Sequence, residues 1–225
     1  MFTLHNGDCL TFQPPAFDIV MSDVPYPDLE KGFQITPIDF LAKWNCRQFI
    51  FWSAMESFPL DYTAVHIWHK RNSQSAHRYE RIFERNGGSM CLVFNSRVVT
   101  SPITAQFARD EYFDHPTQKP VSLMKEMLFK FTEPHQTIYD PFMGSGTTGV
   151  ACMQTGRNFI GCELEPKYYS IAEKRIKSAA LQPSLFTPSN NRLHLTGGIV
   201  PAQGDLFTPE DLPSEGKLSA PAPRR

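Results

Sequence analysis

The sequence predicts an α/β fold with a mostly parallel sheet. Short apolar runs of strand length alternate along the chain with stretches of helical periodicity. A glycine-rich turn, DPFMGSGTTG at 140–149, follows one apolar run and precedes a helical pattern. The 225 residues are enough for one domain with a full core.

In the first half of the chain, four apolar runs have the length and composition of buried strands: FDIVMSD (17–23), QFIFWSA (48–54), TAVHIWHK (63–70) and MCLVFNSR (90–97). TPIDFLAKWN (36–45) lies between the first two runs and is predicted to be a crossover helix.

The second half shows clearer helix boundaries. Pro120 is predicted to begin the helix VSLMKEMLFKFT, and Pro166 the helix PKYYSIAEKRIKSAA. The latter has an amphipathic face of Tyr169, Ala172, Ile176 and Ala179. QTIYD is read as a strand ending at Asp140, NFIGCEL (158–164) as the next strand, and the helix between them as closing at Gly156.

Composition changes near Leu181, so the domain is predicted to span 1–180. Residues 181–225 are rich in Pro, Ser and Gly without periodicity, which predicts a disordered tail. LFTP occurs twice in it, at 185–188 and 206–209.

Charge and cysteine usage narrow the class of protein. The formal net charge is −1, so any nucleic-acid contact must come from a local basic patch. Five cysteines without a C-x-x-C pair argue against a disulfide framework or zinc site. With no signal-like start and no bilayer-length apolar run, a cytoplasmic protein without membrane contact is expected.

The glycine turn allows several readings. No Lys-Ser/Thr follows the last glycine, which excludes a phosphate-binding P-loop. Glu163, at the end of the next predicted strand, can accept hydrogen bonds from ribose hydroxyls. Asp140 places a carboxylate before the turn, which suits the ammonium group of S-adenosylmethionine better than NAD. A turn that only packs a helix on a strand is the third reading.

Two further stretches accompany the turn: SDVPY (22–26) closes a buried strand, and HPTQKP (115–120) opens a helix. Together with DPFMGSGT they resemble the beta-class, circularly permuted amino-group DNA methyltransferases over residues 3 to 180. The resemblance implies a Rossmann-like S-adenosylmethionine-dependent methyltransferase fold. It also implies a permuted chain order. Counted in the unpermuted order, the chain would begin with the third strand of the sheet, and its fold would end at the helix that follows the second strand.

The resemblance assigns the cofactor site. In HNGDCL (5–10), Asp8 would accept a hydrogen bond from the adenine amine of S-adenosylmethionine; the alternative is a helix cap. Asp140 would hold the ammonium group, and Thr147 would bond the carboxylate group. The remaining implied cofactor residues are Pro141, Phe142, Gly144, Gly146 and Glu163, with Thr117 and Lys119 completing the carboxylate site. A solvated lysine at a helix start is the other reading of Lys119.

The resemblance also assigns catalysis to Asp23, Val24, Pro25 and Tyr26. Asp23 and the backbone carbonyl of residue 24 would accept the two N–H groups of the target amine. Most of the family has proline where this chain has Val24. Tyr26 would stack on a base flipped from the duplex, unless it is an ordinary buried aromatic residue. Asp rather than Ser before V-P-Y favours N6 of adenine over N4 of cytosine. Methylation of RNA, and a weakly catalytic protein acting through its tail, remain as alternatives.

Contacts to double-stranded DNA are expected from the basic stretch at 70–85, with Lys70, Arg71, Arg78 and Arg81 as phosphate contacts; an ordinary solvated loop is the alternative. Target recognition is placed in the short insert at about 71–114, which predicts a short or relaxed target site or help from a second subunit of a homodimer. His66 and His69 would point to opposite faces of a strand, so no metal site is expected there.

The tail contains two peptides of the pattern Q-x-[S/D]-L-F. They resemble the peptides by which bacterial DNA enzymes dock onto the replication sliding clamp, with Leu and Phe as hydrophobic anchors. A duplicated spacer is the alternative. The residues concerned are Gln182, Leu185, Phe186, Gln203, Leu206 and Phe207.

Overall fold

A computed structural model of the chain describes residues 1–25, 38–53, 56–71, 79–96 and 118–182. The chain divides into two units, Met1–Thr187 and Pro188–Arg225. The second unit lies outside the described residues, as does the predicted tail apart from Leu181 and Gln182. The elements below therefore belong to the first unit.

The described residues form one eight-stranded sheet in the order β1-β8-β7-β2-β3-β5-β4-β6. The strands are β1 (Phe2–Asn6), β2 (Ile19–Asp23), β3 (Arg47–Trp52), β4 (Ala64–Lys70), β5 (Tyr79–Arg85), β6 (Val93–Ser96), β7 (Thr137–Asp140) and β8 (Asn158–Glu163). Neighbouring strands are parallel except where β5 pairs with β3 and β4. The predicted α/β class with a mostly parallel sheet is confirmed.

The sequence order of the strands differs from their order in space. β1, the first strand of the chain, pairs in parallel with β8, the last strand, from Phe2 opposite Phe159 to Asn6 opposite Glu163. The amino group of Met1 also donates a hydrogen bond to Oδ1 of Asn158, at 3.0 Å. The chain thus starts at one edge of the sheet beside its last strand, as the predicted permuted order requires.

Three helices follow β6 along the described chain: α1 (Val121–Phe131), α2 (Thr147–Thr155) and α3 (Pro166–Leu181). The predicted starts of α1 after Pro120 and of α3 at Pro166 agree with the structure, as does the predicted end of α2 at Gly156. Their apolar residues pack on one face of the sheet, against Phe49, Ile82 and other buried side chains. The opposite face is covered by a second cluster that includes Leu41, Trp44 and Phe17.

Two element predictions differ from the structure. The crossover helix predicted at 36–45 is a short 3-10 helix, Ile38–Lys43, within the part that is described. Residues 79–85, interpreted as part of a basic stretch or solvated loop, form the reversed strand β5 inside the sheet. The charges of β5 concealed it, because the partners of its buried residues come from a distant part of the chain: Arg47 pairs with Glu84, and Oε1 of Gln48 accepts a hydrogen bond from Arg85.

The end of α2 provides a test of local backbone conformation. Gly156 follows the helix with φ of +73°, and an added Cβ would meet no atom within 4 Å. Gly156→Ala should therefore cost about 1–2 kcal/mol through backbone strain alone. Gly156→Asn should cost less, because Asn tolerates the left-handed region. Urea unfolding of both variants measures this, and equal stability of Ala and Asn variants would contradict it.

Candidate active site

Acidic residues cluster at the carboxyl ends of the central parallel strands. β2 ends at Asp23, β7 at Asp140 and β8 at Glu163. β2 pairs with β7 and β7 with β8, so the three carboxylates share one edge of the sheet. In open α/β sheets this edge is where ligands bind.

Asp140 is buried and takes three hydrogen bonds. Its Oδ1 accepts from Ser22 Oγ at 2.6 Å and from the backbone N–H of Phe142 at 3.1 Å, and its Oδ2 accepts from Thr148 Oγ1 at 2.8 Å. Burial nevertheless raises the pKa of Asp140 to about 6, although these three donors oppose the shift. The site thus contains an oriented carboxylate whose charge is only partly compensated.

The glycine loop connects this carboxylate to Glu163. Gly144 has φ of +52° and donates its N–H to Oε2 of Glu163 at 2.9 Å. Oε1 of Glu163 accepts the N–H of Glu165 at 2.8 Å, and burial raises the pKa of Glu163. Both carboxylate oxygens are therefore held in place by backbone groups, at the strand end predicted for ribose binding.

Gly146 has an additional packing role. Its φ is +80°, and a Cβ at this position would lie 2.8 Å from Cβ of Ala172. The absence of a side chain thus allows α2 to pack closely on α3. The interpretation that the turn only packs a helix on a strand therefore accounts for Gly146. It does not account for Gly144, whose N–H is bonded to Glu163. Thr147 is buried as the first residue of α2.

The other predicted cofactor residues lie around the loop. Asp8 is exposed, and its Oδ1 accepts the N–H of Leu10 at 2.9 Å, which is the cap-like contact given as the alternative. Pro141 is buried, and the half-buried Phe142 packs edge-on against Phe40 with ring centroids 5.9 Å apart. One of the two carboxylate oxygens of Asp8 thus accepts a hydrogen bond within the local turn.

Lys119 lies against the predicted catalytic carboxylate. Its Nζ is 2.5 Å from Oδ2 of Asp23 and 3.1 Å from Oε1 of Glu80. The interpretation as a solvated lysine is wrong, since its side chain is only 8% exposed. The Lys119 ammonium group contacts these two protein carboxylates because a buried ammonium group requires compensating charge, and its predicted contact with the cofactor carboxylate stays a prediction.

The carboxyl group of Asp23 ionises less readily than an ordinary aspartate. Burial raises its pKa to about 6; the Lys119 ammonium lowers it, and the carboxylate of Glu80 raises it further. Val24, the next residue, is 1% exposed and packs in the cluster on the opposite face of the sheet. The predicted catalytic stretch thus has an ionisable carboxylate followed by a firmly packed residue.

The basic stretch is largely engaged within the protein. Arg81 donates to the carbonyl oxygens of Ser53, at 2.6 and 3.1 Å, and of Glu56. Lys70 forms an ion pair with Glu80 at 2.8 Å. Lys70 ends β4 and Arg81 lies in β5, so the side chains predicted to contact phosphates are engaged with protein groups in this structure. Arg71 lies in an exposed turn after β4.

Several predicted residues lie outside the described part of the chain: Tyr26, Thr117, Arg78, Leu185, Phe186, Gln203, Leu206 and Phe207. Gln182 is described and is an exposed residue at the end of α3. Pro25 follows Val24 and is partly exposed.

Sequence reasoning missed three residues of the site. Ser22 and Thr148 were inside the quoted motifs, yet only the fold shows that they donate to Asp140. Glu80 belongs to the stretch that was predicted to be a basic loop, and the sequence YERIFER lacks the apolar–polar alternation that would have indicated a strand.

Within the described ranges, no three His, Cys, Asp or Glu side chains are grouped so as to hold a metal ion. His66 instead contacts Glu84, with 3.1 Å between Nε2 and Oε2. None of the helices in these ranges is long and apolar enough to cross a bilayer.

The sheet order, the glycine loop and the acidic strand ends define the Rossmann-like fold of S-adenosylmethionine-dependent methyltransferases. The crystal structure of the M1.HpyAVI–SAM complex aligns with a TM-score of 0.58 at 24% identity, covering 78% of this chain and 99% of that one. PvuII DNA methyltransferase, cytosine-N4-specific, aligns with a TM-score of 0.55 at 12% identity, covering 83% of this chain and 90% of that one. These similarities establish the fold.

A sequence profile of the N6/N4 DNA methylase family matches residues 47–174, more than half of the chain. The chain belongs to this family. Type II methyltransferase M2.DpnII of Streptococcus pneumoniae is 33% identical over 119 residues, which are 52% of this chain and 42% of that protein. DNA adenine methyltransferase YhdJ of Escherichia coli K12 is 39% identical over 75 residues, 33% of this chain and 26% of that protein. The chain thus matches less than half the length of these relatives.

The pKa of Asp140 predicts a pH-dependent effect of Asp140→Asn on stability. The folded-state pKa of about 6 lies above the ordinary value of 3.8. The folded protein therefore binds a proton more tightly than the unfolded chain, and this residue's contribution to stability falls as pH rises through that interval. The Asn variant cannot ionise and so does not lose stability in this way. The melting temperature of the variant minus that of wild type should therefore increase between pH 4.5 and pH 7.5. A pH-independent difference would contradict the assignment.

Proposed function

We propose that this chain is a site-specific DNA methyltransferase that transfers a methyl group from S-adenosylmethionine to the exocyclic N6 of adenine. The observation that carries this proposal is the coupling of two carboxylates at one sheet edge. Asp23 ends β2, and its neighbour Ser22 donates a hydrogen bond to Asp140, which ends β7. One carboxylate can bind a cationic cofactor while the other accepts an amine on the adjacent strand.

The cofactor half of the site fits S-adenosylmethionine chemically. Asp140 offers a buried carboxylate with a raised pKa, which a ligand ammonium group would stabilise in its charged form. Glu163, held by two backbone N–H groups, is the acceptor for the ribose hydroxyls, and Asp8 for the adenine amine. Phe142 and Thr147, with Thr117 outside the described residues, complete the set. When bound, S-adenosylmethionine supplies an electrophilic methyl group on a sulfonium.

The catalytic half prepares the target amine. The lone pair of an exocyclic amine is delocalised into the base, so the nitrogen is a poor nucleophile. Asp23 and the carbonyl of Val24 accept its two N–H groups and direct the lone pair towards the methyl group. The reaction is then an in-line displacement: the bond from the nitrogen to the methyl carbon forms as the methyl–sulfur bond breaks, the thioether leaves with the bonding electron pair, and the amine releases one proton to solvent. Positioning provides most of the catalysis. Tyr26, outside the described residues, is proposed to stack on the flipped base.

The choice of adenine rests on Asp23 preceding V-P-Y, since members that modify cytosine usually have Ser there. The name of YhdJ, a DNA adenine methyltransferase, supports this choice. The PvuII enzyme, named as cytosine-N4-specific, has the same fold, so N4 of cytosine is the second candidate. The chain order, with the catalytic stretch before the glycine loop, supports membership of the permuted beta class.

Contacts beyond the active site are also proposed. Arg71 lies in an exposed turn near Lys70 and is retained as a phosphate contact, together with Arg78. A recognition insert at about 71–114, a homodimer and clamp docking by the two tail peptides remain predictions. A peptide covering 180–210 can be titrated with a purified sliding clamp, with Leu185, Phe186, Leu206 and Phe207 changed to Ala as the control.

Methylation and its dependence on Asp23 can be measured with tritiated S-adenosylmethionine and unmethylated duplex DNA. Asp23→Ala should lower turnover by at least about 10²-fold, because the amine loses its charged acceptor. Its cofactor affinity, measured by calorimetry, should change little. Asp61→Ala, at an exposed position, is the matched control. Near-normal turnover of Asp23→Ala would contradict the mechanism. If the digested product contained N4-methylcytosine, N4 of cytosine rather than N6 of adenine would be the methylated position.

Val24→Pro tests whether only the carbonyl of residue 24 takes part in the reaction. Turnover should stay within about tenfold of wild type, because proline keeps the carbonyl and restricts the loop. Val24→Ala keeps the same carbonyl but removes buried methyl groups, which should lower the free energy of unfolding by about 1–3 kcal/mol. A larger loss of turnover in folded Val24→Pro would show that the side chain or N–H of Val24 has a role.

A further inference from the structure

Four charged side chains of alternating sign form a continuous cluster beside the proposed catalytic carboxylate. Asp23 contacts Lys119 at 2.5 Å, Lys119 contacts Glu80 at 3.1 Å, and Glu80 contacts Lys70 at 2.8 Å. The Glu80 side chain is 3% exposed and that of Lys119 is 8% exposed. Burying the charges of Glu80 and Lys119 is costly, so a purely structural pairing would be replaced at little cost by apolar residues.

The cluster arises from the direction of β5. Parallel strands β2 and β4 both end at the edge that carries the site, at Asp23 and Lys70. β5 runs the other way, so it begins at this edge, and Glu80 is its second residue. Side-chain alternation places Glu80 on the same sheet face as Ile82, which is the face covered by α1. Lys119 lies over that face, two residues before the first residue of α1.

Resting on the function proposed above, we infer that Lys119 and Glu80 are positioning residues for methyl transfer. Lys119 holds Oδ2 of Asp23 so that Oδ1 is presented to the target amine. Glu80, anchored by Lys70, fixes Lys119 in that position. Neither residue contacts the reacting atoms, and both act through the orientation and charge of Asp23.

The charges around Asp23 give each residue a distinct signature. Lys119 favours the ionised form of Asp23, whereas Glu80 opposes it. For Glu80, burial raises the pKa, but Lys119 and Lys70 more than offset it, so the pKa of Glu80 is lowered and its carboxylate stays charged. Among the described residues, Lys70 also lowers the pKa of Asp23, and Asp140 on β7 interacts with Asp23; neither residue is changed in the variants below. Removing Lys119 and removing the charge of Glu80 must therefore shift the titration of Asp23 in opposite directions.

The test uses the full chain and compares Lys119→Met, Lys119→Arg and Glu80→Gln. The pH dependence of kcat for methylation of unmethylated duplex DNA is followed from pH 5 to 8.5. Wild type should lose activity as pH falls through about 6, because Asp23 becomes protonated. Lys119→Met should lower kcat by about 10²-fold and move this acid limb up by about one pH unit. Glu80→Gln should move it down, and Lys119→Arg should restore part of kcat.

Two further measurements separate the possible failures. Carboxyl-carbon NMR titration of Asp23 without DNA or cofactor should show the same opposite shifts, so the test does not depend on turnover. Lys130→Met, at an exposed position in the last turn of α1, is the control and should match wild type. If Lys119→Met does not fold, Glu80→Gln and Lys119→Arg still decide the result.

Wild-type kcat and an unmoved Asp23 titration in Lys119→Met and Glu80→Gln would overturn the inference while leaving the proposed function intact. An inactive wild-type protein on all DNA, with the opposite NMR shifts present, would overturn the proposed function. In that case the electrostatic cluster would remain, but its role in methyl transfer would be lost.

Discussion

The parallel pairing of β2 with β7 brings two carboxylates to the same edge of the sheet, and the organisation of the site depends on this pairing. Ile19 lies opposite Ile138 and Val20 opposite Tyr139, so both strands reach the edge together. Ser22 then donates to Asp140, while Asp23 extends beyond it. Two buried carboxylates with raised pKa values destabilise each other, which indicates that the site is organised for binding cationic or hydrogen-bond-donating ligands rather than for stability.

The protein compensates these charges in two different ways. Around Asp140 the compensation comes from neutral donors, namely two hydroxyl groups and a backbone N–H. Around Asp23 it comes from the ammonium group of Lys119. Neutral donors orient Asp140 without cancelling its charge, which leaves it able to bind an ammonium group. The full positive charge of Lys119 favours the ionised form of Asp23, and an ionised carboxylate is what accepting hydrogen bonds from an amine requires.

The reversed strand β5 links this chemistry to the rest of the sheet. One of its ends supplies Glu80 to the site, and the other buries Glu84 and Arg85 in contacts with Arg47 and Gln48. The same strand withdraws Lys70 and Arg81 from solvent, which explains why a stretch that is basic in sequence offers fewer groups for DNA than its composition indicates.

Local sequence by itself determined the parallel strands, the helix starts at Pro120 and Pro166, the turn at Gly156 and the acidic ends of β2, β7 and β8. These features depend on periodicity, proline geometry and glycine conformation, which act over a few residues. The meeting of Asp23, Asp140 and Glu163 at one edge depends on the order of the strands in the sheet, which only the tertiary structure shows. Only the tertiary structure decided the partners of Lys119, the burial of Glu80 and the strand at 79–85. Charged groups in these positions need partners from distant parts of the chain, and the ammonium group that contacts Asp23 is 96 residues away along the chain.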